Sequence, residues 1–566
     1  MLYVTERWRP EADAAASSDA ILIRISRLMH HSISYRVVLT ILWMAAATVC
    51  PAWAQDVDIL RVGYREPDTL DPHAAVVGPS QAIVRLLYRG LTRFAIRDGR
   101  VSTSEVDPDL AESWVEPEGN DLTWVFRLRQ DVEFHHAFGE MTADDVKFSF
   151  ERQLQGSQHM AYTRNLDIIS AIDVINSHTL SITLKYPDPL FPLRIVGYQQ
   201  GYIVSKKAVQ LYGERFQWNP VGTGPFYFDQ RLVDEKIILK THFAYQDPLE
   251  THQGATIKRS NIDEVHWFDV RDDATALLGL KHGAFDIIFP NVITRALVAS
   301  VEQAGAVLDK RGPGTLWALF FNTAKRPFDE IEFRRAVMSA IDRKAIQTAS
   351  WLEELSTLAT SPLPRGYVGH MAVEIPPYDP DNAKALLSQA IHIHPSLDTH
   401  VISQNPTYHQ TMALVQKQLE AVGIHLPLVV VDHEAYHEHI RANANGMVLY
   451  GAARITHGHV MLGQFYHSSQ IPSAHSNAQG TNFSHYRDLD SLLDHALQSQ
   501  SPENRDAFYH QAQQRLIADA VVLPLVVVPD TSVRNPKHVH TPFDPERGES
   551  ALHYFYNYPE RFELLR

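Results

Sequence analysis

One stretch of the chain, residues 107–152 (DPDLAESWVEPEGNDLTWVFRLRQDVEFHHAFGEMTADDVKFSFER), narrows the possible folds more than any other. Trp124, Phe126 and Leu128 point one way and Thr123, Arg127 and Arg129 the other, with Val125 breaking the pattern. Such period-two alternation predicts a half-buried strand. Thr142 then precedes Ala143, Asp144 and Asp145. This order predicts a helix start, where a hydroxyl accepts from an orphan N–H and acids face the positive end of the helix. A strand, a tight loop and a capped helix in immediate succession call for mixed α/β architecture.

The chain has 566 residues, too many for one ordinary core, so two or more lobes are expected. Its apolar content of 45 % and charged content of 21 % are ordinary for a soluble globular protein. The long apolar run is residues 36–54, RVVLTILWMAAATVCPAWA. Arg36 supplies positive charge, Val37 to Cys50 an apolar stretch, and Ala52-Trp53-Ala54 a small-x-small cleavage site. The run is expected to be a secretory signal peptide cut before Gln55. Residues 1–28 carry Glu6, Glu11, Asp13 and Asp19, whereas a normal basic n-region opens at Met29, the expected true start. Cys50 is the one cysteine and lies inside this signal. The mature chain is thus expected to lack disulfides, zinc ribbons and thiol nucleophiles. The net charge of −15, with no basic stripe interleaved with aromatics, argues against a nucleic-acid partner.

Further landmarks alternate between strand and helix. A strand is expected at Ile59 to Tyr64, then extended TLDPH (Thr69 to His73), then a helix from Ser80 to Tyr88. NPVGTGPF (219–226) is a Gly/Pro loop before an aromatic strand, its glycines allowing positive φ or close backbone approach. Trp317 to Asn322 is an apolar strand. Phe333, Ala336, Val337, Ala340 and Ile341 form one face of the helix after it. Asp379 can cap a helix with Pro380 in its first position, and Gly423 ends the next one. IHLPLVVVD (424–432) is expected to be a buried strand and Ala518 to Val528 a final one. That last segment holds Pro524 and is too short to span a membrane.

These landmarks, from residue 57 to 530 and in this order, resemble the family 5 extracellular solute-binding proteins, the peptide- and nickel-type receptors of ABC importers. The resemblance implies a two-lobed periplasmic-binding-protein fold of the large type II class. Residues 55–315 and 520–566 would form the first lobe, with an extra subdomain at about 101–218, and 316–519 the second; 1–54 would be the signal region. The ligand would sit between the lobes and drive hinge closure. The implied role is capture of a peptide-like or related small solute in the periplasm for an inner-membrane permease with its own ATPase subunits. The protein would work as a monomer, without cofactor, bound metal or catalysis.

Peptide-binding members of that family carry an aromatic followed by Cys/Gly-Ala-Asp-Tyr, whose aspartate pairs with the ligand's α-ammonium, since a buried cation needs a counter-charge. Here the run is Tyr450-Gly451-Ala452-Ala453-Arg454, with Ala453 in the aspartate's place. An inward Arg454 would prefer a carboxylate or phosphate; an outward one would be a solvated loop residue. Nickel-type members resemble the same loop, with a histidine seven places after the aromatic, matched by His457, and His459 and His467 lie nearby. Imidazole suits nickel, so uptake of a metal chelate is the alternative within the family. The resemblance thus implies as ligand-binding candidates Tyr450, Gly451, Ala453, Arg454 and His457 in and after this loop and, on the family's interlobe surfaces, Trp317, Asn322 and His73, with Asp71 beside the last.

His433-Glu434-Ala435-Tyr436-His437 is a literal HExxH, which on a helix aligns two histidines for zinc and a glutamate as general base. It makes a secreted metalloprotease the rival of another class. No third ligand is identifiable from spacing, and with 30 histidines in the chain a chance match is easily met. Asp432 looks like the cap of a surface helix that begins there. No GxSxG elbow, P-loop or dinucleotide fingerprint is present.

Overall fold

The computed structural model describes residues 57–565 except 98–99, 119–121, 157–164, 248–259, 292, 352, 391–398, 403–405, 474–479 and 541–556. The chain divides into two units, Met1–Val57 and Asp58–Arg566, and every described strand and helix belongs to the second. The expected signal segment and start site lie outside the described residues. Among the described residues, no helix is long and apolar enough to cross a membrane.

A nine-stranded sheet runs through the molecule. Its order is Met447–Ala452, Val307–Phe321, Val522–Arg534, Ile287–Ile288, Ile59–Tyr64, Glu264–Asp269, Lys236–Thr241 and Phe226–Leu232, with Thr357–Leu358 also pairing to Val522–Arg534. Ile59–Tyr64 is parallel to both its neighbours, and the other pairs are antiparallel. The molecule has two large cores, and the two longest strands, Val307–Phe321 and Val522–Arg534, run from the second of them to a smaller cluster that holds Val533, with Leu308 packed on it. Leu60, Ile83, Trp124, Phe150, Phe191 and Trp267 belong to the first. Leu319, Phe320, Val337, Tyr408, Leu449 and Leu523 belong to the second. Ala520 to Val526 pack into the second core, except Pro524, which pairs with Ala318. The register of the long pair slips between Arg311 and Thr315, at Gly312-Pro313-Gly314. A Cβ on Gly314, whose φ is +76°, would lie 2.3 Å from the Val528 carbonyl oxygen, so this irregularity needs glycine.

The opening stretch folds as its pattern dictates. Thr123–Leu128 buries Trp124, Phe126 and Leu128 in a four-stranded antiparallel sheet with Ala111–Val115, Thr179–Leu184 and Ile169–Asn176. The helix Ala143–Leu154 follows. Its start is the expected one, with Thr142 at the N-cap in a capping box: the Thr142 side chain meets the Asp145 N–H, and the Asp145 carboxylate accepts from the Thr142 N–H at 3.0 Å. Asp379 and Asp432 cap their helices as expected, accepting from the N–H groups of Asn382 and Ala435. Gly423 has φ +92° beyond Pro406–Glu420.

One expected strand is corrected. Leu428–Val431 is a strand, but it is not buried: Val429 and Val430 are 41 % and 52 % exposed. Among the described residues it pairs only with Thr399–Ile402, in a separate two-stranded sheet, so an apolar run does not guarantee cover on both faces.

Close approach, not positive φ, explains the NPVGTGPF glycines. A Cβ on Gly222 would fall 2.1 Å from the Leu87 carbonyl oxygen, and one on Gly224 2.5 Å from the Leu87 carbonyl carbon. The loop is fastened here: the Gly224 N–H donates to Leu87 at 2.9 Å, and the buried His135 ring contacts both glycines. Gly222→Ala is therefore expected to cost about 2 kcal/mol or more, as overpacking against backbone does. Urea unfolding is the check; an unchanged midpoint would show that the loop can retreat without loss.

Candidate ligand-binding cleft

A cleft of ≈ 340 Å³ opens where the long strands change register. Its floor is Arg311 to Thr315 and Pro529 to Thr531. One wall comes from the first side of the molecule, with Tyr64, Arg85, Phe94, Thr103, Tyr198 and Phe289; the other is Ala453 to Thr456. Thr103, Gly312, Pro313 and Pro529 also border a second space of ≈ 700 Å³, which reaches along Glu353 to Leu358 and Pro364 to Gly366. Volumes of this order match those of small-molecule sites, roughly 300–1,000 Å³.

Among the described residues, the charged groups on the first space are three guanidiniums and one carboxylate: Arg85, Arg311, Arg454 and Asp530. Arg85 lies over the Tyr198 ring at 4.5 Å. Arg311 is paired with Asp530 across the two floor strands, its Nε 3.2 Å from Oδ2. Arg454 donates from Nε to Gln464 Oε1 and from Nη1 to the Ala453 carbonyl, both at 2.7 Å, and stands over the Phe465 ring at 5.2 Å. Its backbone is locked by the buried Tyr367 hydroxyl, which accepts from the Arg454 N–H and donates to the Arg454 carbonyl, each at 2.8 Å. The guanidinium is therefore held by neutral groups, and Nη2 has no hydrogen-bond partner among the described residues. This leaves its charge uncompensated by any carboxylate in the cleft wall except Asp530.

Of the residues singled out from sequence, Ala453 and Arg454 line this cleft together. Tyr450 stands further back along its strand, half-buried among His437, Phe465 and Phe483. Gly451 makes room for Trp317, since a Cβ there would come within 2.8 Å of the indole. The Trp317 ring itself meets Tyr408 edge to face. Asn322 is buried at the far end of its strand, donating to Asn443 and to the Asn445 carbonyl. His73 is buried on the first side of the molecule, 3.0 Å from Arg152, which also pairs with Asp71, and 2.9 Å from the Tyr202 carbonyl. His457 is also buried, bonded to Asp188. Arg85, Arg311 and Asp530 were not singled out. The one charged residue on the helix Gly78–Leu87 and a basic residue beside Gly-Pro-Gly were the signals available for the two arginines.

The histidines do not gather at the cleft. His459 and His467 border a different space of ≈ 390 Å³. Among the described residues, the one set of three potential ligands close enough to share an ion is Glu66, Asp234 and Asp269, whose carboxylates already face Arg231 and Arg271. In HEAYH, His433 and Glu434 are exposed at a helix start, and no third ligand converges on His433 and His437 among the described residues. Burial, then the neighbouring His433, pushes the His437 pKa down to about 4.

Comparison with known proteins decides the family. The model of the bacterial extracellular solute-binding proteins, family 5 Middle, matches residues 105–473. The chain belongs to family 5. This solute-binding protein is 26 % identical over 500 residues to the glutathione-binding protein GsiB of Salmonella typhi, covering 86 % of this chain and 93 % of that one. It is 26 % identical over 513 residues to heme-binding protein A of Haemophilus influenzae, covering 85 % and 89 %. Its fold matches MoaA from A. tumefaciens R10, solved in complex with mannopinic acid, with a TM-score of 0.74 and 26 % identity over 90 % of this chain and 100 % of that one. Family 5 comprises the solute-binding proteins of ABC importers, with the two-lobed periplasmic-binding fold, so this chain is a carrier and not an enzyme; nothing in the comparisons supports the metalloprotease alternative.

Proposed function

We propose that this protein captures a small, carboxylate-bearing, peptide-like solute in the periplasm and passes it to an inner-membrane ABC permease. The observation that carries this reading is the charge of the cleft. Three arginines against one aspartate line it, on a chain whose net charge is −15. A positive patch kept on an acidic protein is a selective feature, because oriented charges there attract and orient an anion. Ala453 stands where peptide-binding relatives are expected to hold the ligand's amine, so the amino end is not the main anchor. Arg454 is the preferred partner for the solute's carboxylate, with Arg85 and Arg311 adding to the field. Two relatives are consistent with this: one is named for glutathione, and another was solved with mannopinic acid. Export through residues 36–54, action as a monomer, and exchange between lobes at Gly312–Gly314 and Val528–Asp530 complete the reading.

Calorimetric titration tests it with reduced glutathione, its dimethyl ester, mannopinic acid and an unmodified dipeptide. At least one free acid is expected to bind, and its esterified form about tenfold or more weaker, since a charge-assisted hydrogen bond contributes about 1.5–3 kcal/mol. Equal affinity for acid and ester would remove the charge reading while leaving the carrier role intact.

A further inference from the structure

Beside the cleft the two sides of the molecule touch directly. Phe94, Leu193 and Val196 of the first pack on Ile455 and Val460 of the second. Within this apolar patch sits a buried polar group. His457 Nε2 lies 3.0 Å and 3.2 Å from the two carboxylate oxygens of Asp188. Arg194 Nε donates to the same carboxylate at 2.7 Å. His457 is 0 % exposed and Asp188 2 %, although 269 residues separate them.

The protonation state follows from the partners. His457 caps the helix Gly458–Tyr466, its Nδ1 accepting from the His459 N–H at 3.2 Å. Nδ1 therefore has no proton, and Nε2 carries the one donated to Asp188. Burial, assisted by Arg194, pushes the His457 pKa down, as a neutral ring requires. Burial alone would raise the Asp188 pKa, but His457 and Arg194 together outweigh it and hold the carboxyl well below its usual range.

Each partner is also satisfied on its own side. Asp188 keeps Arg194 if the sides separate, and His457 keeps its cap. The contact can break without leaving a buried charge alone, the outcome that makes ordinary buried ion pairs costly to open. None of the three residues lines the cleft.

We infer that Asp188 and His457 form a latch between the two lobes that sets how much of the ligand-free protein is closed. Apparent affinity scales with the fraction in the binding-competent state. The latch therefore scales affinity for every solute alike and takes no part in choosing among them.

The test needs no ligand. In full-length protein with Cys50→Ser, spin labels on cysteines placed at the exposed positions Leu211 and Tyr378 report the distance across the cleft by pulsed electron resonance. His457→Asn keeps a capping acceptor but is too short to reach Asp188; Asp188→Asn weakens the contact from the other side. Each is expected to raise the long-distance population several-fold, and the double variant to raise it no further than the stronger single one. Should Asp188→Asn fail to fold because Arg194 loses its counter-charge, His457→Asn alone decides. Unchanged distances in His457→Asn, or additive effects of the two substitutions, would overturn the latch.

Discussion

Arg454→Ala is expected to weaken binding of a carboxylate-bearing solute about 10- to 100-fold, while its esterified analogue changes by less than about threefold. The asymmetry follows from how the guanidinium is held. Gln464 and the Ala453 carbonyl orient it and the Phe465 ring supports it, but none of these is an anion. The free cleft therefore presents a prepaid, oriented charge, and a carboxylate meets it with little reorganisation. Lysine should restore only part of the affinity, because an ammonium lacks the planar fork that Gln464 orients. Titration of acid and ester against wild type, Arg454→Ala and Arg454→Lys makes the measurement. A similar loss for both solutes would mean that Arg454 shapes the wall without meeting the ligand.

The second large effect is on acid stability. His73 is expected to contribute a loss of about 3 kcal/mol as pH falls from 7 to 4. Burial, then the adjacent Arg152, pushes its pKa from 6.5 down to about 4. The Arg152 guanidinium donates to Nδ1, so a proton on that nitrogen would face a cation. The unfolded chain takes up the proton first, near pH 6.5. Stability is thus complete above that pH and drains away as pH falls towards the folded value. His73→Gln should flatten this part of the profile by about one proton, whatever it does to stability at pH 7. Urea unfolding at a series of pH values between 7 and 4 reads the slope directly; an equal slope in the variant would assign the acid loss to other groups. His459, whose pKa burial and then Arg194 bring down to about 3, is the next candidate.

Local signals carried the elements whose neighbours are close in sequence. Trp124, Phe126 and Leu128 announce their strand because one of its faces is buried, and Asp379 and Asp432 announce their helices through their own N–H partners. The strand from Trp317 was legible only in its second half. Its first half, Val307 to Gly314, has no clear alternation and exists because Asp530–Arg534 pairs with it from more than two hundred residues away. The error at Val429 and Val430 has the converse cause: β-branched residues favour a strand, but only neighbours decide whether it is covered.

The same division holds at the site. Ala453 and Arg454 reach the cleft because they follow directly on the strand Met447–Ala452, so counting along the chain finds them. Arg311 and Asp530 share the floor through strand pairing, which counting does not reveal. His457 was singled out by its spacing from Tyr450, and His73 and Asn322 by where the family's interlobe surfaces fall along the chain, and neither signal says what a side chain meets. In the fold each has a partner distant in sequence, Arg152, Asn443 and Asp188.

The slipped register at Gly312–Gly314 would also set the order in which a solute is gripped, were it the point about which the proposed closure turns. If the two halves of the molecule rotate about this point, displacement grows with distance from it. Arg311 and Asp530, at the fulcrum, hardly move, whereas Arg85 and Arg454, at the ends of two lever arms, swing apart. On that motion a solute entering the open protein would meet the Arg311–Asp530 pair at the back before either wall, and capture would run from floor to jaws.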